Sequence, residues 1–116
     1  MKKTRRTLIV NLGFAFLAVV ALSSAQSKQT FTGIVTDDMC PRADHSQMRM
    51  GPSDAECSAA CISEHGAVYV LFDGENAYTL SDQGAAKKFS AKKVKVTGAL
   101  DSKKRTIQVE SIAAAK

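Results

Sequence analysis

The signatures of several common activities are missing from this chain. It has no glycine-rich phosphate loop and no H-E-x-x-H pair, which removes the usual nucleotide-cradling and metalloprotease readings. No two of its cysteines stand in C-x2-C spacing, so neither a zinc knuckle nor a thioredoxin-like dithiol is written into it. Its longest apolar run, LIVNLGFAFLAVVAL at residues 8–22, falls short of the roughly 20 residues a membrane-spanning helix needs. With 116 residues it has no room for two ordinary domains. A lasting charge excess is missing too. The formal balance is +5, but four of the 16 basic residues, Lys2, Lys3, Arg5 and Arg6, precede every acidic one. After Ala25 the chain carries 12 basic residues against 11 acidic ones, which removes the electrostatic case for nucleic-acid binding.

What is present begins with an export pattern. A basic start, the apolar run, and small Ser23 and Ala25 at −3 and −1 to a cut describe a signal peptide over residues 1–25. The remainder, 26–116, is expected to be one exported domain, periplasmic or extracellular. Contact with a membrane is expected only through the export signal, and no cysteine follows the cut to carry a lipid. The run Thr4-Arg5-Arg6-Thr7-Leu8-Ile9 is similar to a twin-arginine signal, although an ordinary secretory signal explains it as well.

Hydrophobic periodicity divides the remainder into short elements. Residues 30–36 alternate as a strand, with Phe31, Gly33 and Val35 on one face. Asp37-Asp38 reads as a solvated strand end. Residues 37–52 show no period and hold both prolines, so they form an irregular loop. Ser53 and Glu56 have capping-box spacing, which predicts a helix over 54–65 ended by Gly66. Residues 67–72 and 77–80 make a hairpin across Asp73-Gly74, with Tyr69 and Tyr78 facing each other half exposed. Ser81 or Asp82 starts a short helix over 83–89. Two more strands, 93–100 and 106–112, flank a turn, and the last residues are expected to fray.

Five strands in so short a chain need their edges hidden. The predicted fold is mostly β: a small OB-like five-stranded barrel, with a loop-helix inserted after strand one and a short helix between strands three and four. Gly33 and Gly98 would permit its coiling. The alternative is an open five-stranded α+β sandwich.

The three cysteines carry the functional expectation, because an odd number cannot all pair within one chain. Cys57 and Cys61 are i and i+4 on the predicted helix, with Cβ atoms about 6 Å apart. A disulfide wants about 3.8 Å. The pair therefore suits metal ligation better. Cys40 can fold back from the loop, and His45 can complete a tetrahedron of Cys40, His45, Cys57 and Cys61, with His65 in reserve. Zinc is the expected ion. Met39, Met48 and Met50 nearby make copper the second expectation. Two other readings stay open. One is a ligand-binding or adhesion domain stapled by a disulfide from Cys40 to Cys57 or Cys61, and the other is a thiol-redox or copper-handling protein. No catalytic residue is expected. The lysines of the C-terminal half read first as a solvated face, and second as a weak contact for anionic surface polymers.

Three segments carry a resemblance. These are Phe31-Thr32-Gly33-Ile34-Val35-Thr36-Asp37-Asp38-Met39-Cys40, Gly66-Ala67-Val68-Tyr69-Val70-Leu71 and Lys93-Val94-Lys95-Val96-Thr97-Gly98-Ala99-Leu100-Asp101. Together with the order Met39, Cys40, His45, Cys57, Cys61, they resemble small exported bacterial proteins of unknown function. The resemblance implies an OB-like barrel with a Cys/His-bearing loop after the first strand, and it implies no activity.

Overall fold

Residues 27–116 are described in a computed structural model of the chain. The expected signal peptide, residues 1–25, lies outside them. The elements are β1 (Lys28–Asp37), α1 (Asp54–His65), β2 (Tyr69–Phe72), β3 (Ala77–Leu80), α2 (Gln83–Lys88), β4 (Lys93–Asp101) and β5 (Thr106–Ala114).

Local chemistry accounts for their limits. Ser53 caps α1, its hydroxyl oxygen accepting from the Glu56 amide at 3.2 Å and its proton reaching the Glu56 carboxylate at 2.9 Å. Gly66 ends the helix in the left-handed region, φ 67°, where a side chain would be strained. Asp82 caps α2 by accepting from the Ala85 amide. Gln83 then ties α2 to the sheet: its side chain accepts from Tyr69 N and donates to the carbonyls of Tyr69 and Leu80.

The strands pair in the order β1-β2-β3-β5-β4, and β4 returns to β1, so the hydrogen-bonded order is a closed ring. All pairs are antiparallel except β3 with β5, which is parallel and only two residues long, Thr79 opposite Thr106 and Leu80 opposite Ile107. β1 does double service. It pairs with β4 over Lys28–Ile34 and with β2 over Ile34–Asp37. Gly33 sits at the handover, where a Cβ would run into the Phe72 carbonyl. Gly98 sits opposite a bulge in β5, where the pairing skips Glu110, and a Cβ there would meet the Gln108 carbonyl. Val35, Tyr69, Leu71, Leu80, Ala86, Val94, Val96 and Ile107 form the core.

Several expectations need correction. The domain is mixed αβ, with two helices among its five strands. The mostly-β, OB-like barrel is not retained as its description: two helices stand among the strands, and the strand order closes only through the two-residue parallel pairing of β3 with β5. The positions of the two helices, after β1 and between β3 and β4, agree with the sequence reading. The hairpin register places Tyr78 opposite Leu71, not Tyr69. Tyr69 is buried in the core, while Tyr78 packs on Phe31 with ring centroids 6.0 Å apart. The end of the chain continues β5, with Ala113 and Ala114 paired to Lys95 and Val94, because β4 offers free backbone groups that far along.

Candidate metal centre

β1 alternates as far as Val35, then buries two polar residues in succession, Thr36 and Asp37. Alternation fails there because the strand is covered on both sides: α1 and the loop before it fold over the face that would otherwise meet water. Asp37 is fully buried and organises this crossing. Its Oδ1 accepts from the amides of Met39 and Cys40, each at 3.0 Å, which forms the turn out of the strand. Its Oδ2 accepts from the Ser58 hydroxyl on α1 at 2.7 Å. Two donors saturate Oδ1, and one donor leaves Oδ2 with a free lone pair. The expectation of a solvated strand end is thus corrected for Asp37. It holds for Asp38, which is exposed.

Cys40 is fixed at both backbone ends. Its amide meets Asp37, and its carbonyl accepts from the Thr36 hydroxyl at 2.8 Å and the Ala43 amide at 3.0 Å. Asp44 starts a second turn by accepting from the Ser46 amide, and the hydrogen bonds from Ser46 hold its carboxyl below the usual range. His45 is the middle residue of this second turn and is only 3% exposed. Its Nδ1 is enclosed and has no hydrogen-bond partner among the described residues. One ligand atom each from Asp37, Cys40 and His45 lie within 4.8 Å of one another. This is a buried Asp/Cys/His cluster able to coordinate a metal ion.

The cysteines of α1 lie beside that cluster. Cys57 and Cys61 are fully buried, together with Ser58, on the helix side turned to β1. They are not members of the 4.8 Å group. The loop residues Met48–Met50 wrap over them. Cys57 Sγ accepts from the Met50 amide at 3.4 Å and donates to the Met48 carbonyl at 3.3 Å. Cys61 Sγ stands 3.8 Å from the Met50 thioether sulfur. Arg49 clamps this loop to the helix start through Asp54 at 2.7 Å and the Pro52 carbonyl at 3.1 Å. Burial pushes the Cys40 thiol up, helped by the nearby Asp37 carboxylate. Burial, then Asp37, then Cys57 and Cys40, push Cys61 up to about 11.

The structure therefore brings Cys40 and His45 together, adds Asp37, and sets Cys57 and Cys61 next to them. His65 is exposed at the end of α1 and outside the cluster. A disulfide from Cys40 to Cys57 or Cys61 is not formed: all three cysteines are free. Asp37 is the residue that sequence reasoning missed. Its signal was an aspartate three residues before a cysteine at a strand end, where a carboxylate can gather the next amides into a turn.

No family model, curated protein or solved structure matches this chain. The resemblance to small exported OB-like proteins finds no support there, and the fold stands as a mixed αβ domain with one five-stranded sheet.

Proposed function

We propose that this chain is a small exported metal-binding module whose resident ion is zinc, held by Asp37, Cys40 and His45. The observation that carries the reading is the buried cluster of Asp37, Cys40 and His45, in which His45 Nδ1 has no hydrogen-bond partner and Asp37 Oδ2 accepts from one donor only. Leaving a buried polar atom unpaired costs about 1–3 kcal/mol, so such atoms are rare without a reason. A metal ion supplies one.

The donor set selects the ion. Carboxylate oxygen, imidazole nitrogen and thiolate sulfur together suit a borderline cation with no directional preference, which is zinc. Zinc bonds of about 2.0–2.3 Å put ligand atoms about 3.3–3.8 Å apart in a tetrahedron. The three donors already lie within 4.8 Å of one another, so reaching that spacing takes at most about 1.5 Å, which is within the reach of side-chain rotation. The fourth position is open to water.

The ion would act as a staple. The loop 38–53 has no regular structure, and a domain of this size gains little surplus from its core. Closing that loop on β1 through a metal couples binding to folding.

The test is zinc content and competition. The purified chain is expected to hold one equivalent of zinc against a chromogenic chelator, and Cys40→Ser and His45→Ala to lose it. A wild-type protein that takes up no zinc would end this reading.

A further inference from the structure

The metal reading leaves three sulfur atoms unused. Cys57 and Cys61 are fully buried under the loop, with Met50 laid against both. Met50 Sδ lies 3.8 Å from Cys61 Sγ, and the Met50 amide donates to Cys57 Sγ at 3.4 Å, so one loop residue touches both cysteine sulfurs.

We propose that Cys57, Cys61 and Met50 form a second site, for a soft monovalent d10 cation, Cu(I). An ion about 2.3 Å from each of three sulfurs in a plane separates them by about 4 Å, a spacing the Met50–Cys61 pair already has. The thioether decides the class of ion. Zinc has little use for thioether, whereas Cu(I) binds thiolate and thioether together. The charge change is simple: Cu(I) enters as the monovalent ion, two thiols release two protons, and Met50 binds as a neutral ligand. No electron is transferred. The Met50 amide already donates to Cys57 Sγ and would support the thiolate, while the thiol's bond to the Met48 carbonyl is given up. Met48 itself is 43% exposed, which sets another thioether at the surface beside the buried pair.

This site uses none of the zinc ligands, so the two readings fail separately. Zinc-loaded full-length chain is titrated with Cu(I) against bicinchoninate, under reducing conditions, with zinc followed in the same sample. One Cu(I) is expected to bind with zinc retained. Copper absorption spectra of selenomethionine-labelled protein are expected to show a selenium neighbour that disappears in Met50→Leu. That variant is expected to lose Cu(I) affinity by at least about 100-fold, since even an outer contact costs a metal site up to that much, and to keep its zinc. Cu(I) binding with the selenium signal but no zinc uptake would support this site and overturn the zinc reading alone. No Cu(I) uptake by a zinc-holding protein would overturn this site alone. Displacement of zinc by Cu(I), or loss of zinc in Cys61→Ser, would show that the ligands form one site and overturn the division proposed here.

Discussion

Removing the Asp37 carboxylate tests the organisation of the whole site, and two substitutions separate its roles. Asp37→Ala leaves the Met39 amide, the Cys40 amide and the Ser58 hydroxyl without their acceptor in a fully buried setting. A hydrogen bond to a charged group is worth about 1.5–3 kcal/mol, and neighbouring bonds do not add in full, so the expected loss is about 3–5 kcal/mol. A domain of this length holds roughly 5–10 kcal/mol in total, so the variant should keep about half of its stability. Asp37→Asn keeps the oxygen that gathers the two amides. The Ser58 hydroxyl can rotate to accept from the new amide, and the expected cost falls to about 1–2 kcal/mol. Both variants lack the Oδ2 lone pair and should bind zinc poorly. Urea unfolding in the presence of a chelator measures the first effect, and zinc competition measures the second. If Asp37→Ala costs less than about 1 kcal/mol in the metal-free protein, the carboxylate does not organise the loop and the reasoning fails.

Other predictions address single features. In metal-free protein, His45→Leu should hold or raise stability by up to about 1 kcal/mol, because it removes an enclosed unpaired nitrogen; chelator-treated thermal unfolding reads this. Gly98→Ala should cost more than about 2 kcal/mol, since its Cβ meets the Gln108 carbonyl backbone, and denaturant midpoints will show it. Gly66→Ala meets nothing within 4 Å, so only the left-handed φ opposes it, at about 1–2 kcal/mol. Glu110→Ala breaks an ion pair with Lys28 whose side chains are 70% and 51% exposed, and should change stability by less than about 0.5 kcal/mol.

The local elements were readable from the chain because local rules set them. Ser53, Glu56 and Gly66 mark both ends of α1, and the alternation around Val94 and Val96 marks β4. Gly33 and Gly98, read from the chain as points of coiling, lie where a neighbouring backbone passes too close for a Cβ. The closing seam was not readable, since two residue pairs between β3 and β5 leave no periodic trace. Asp37 was misread for a related reason. Its burial depends on Ser58, 21 residues away, covering it, and the chain itself shows only an acidic pair at a strand end. The cysteines were placed on the right helix face. How they divide between neighbours depends on where the loop lays Met50 and His45, which no spacing rule fixes.

The chain has two histidines, one enclosed at the proposed zinc site and one exposed at the end of α1. Nitrogen NMR of the imidazole rings during zinc addition therefore reports on each separately. One His45 ring nitrogen should move to a metal-bound shift, saturating at one equivalent, while His65 stays unchanged. Zinc addition that leaves His45 unmoved, or moves only His65, would contradict the account.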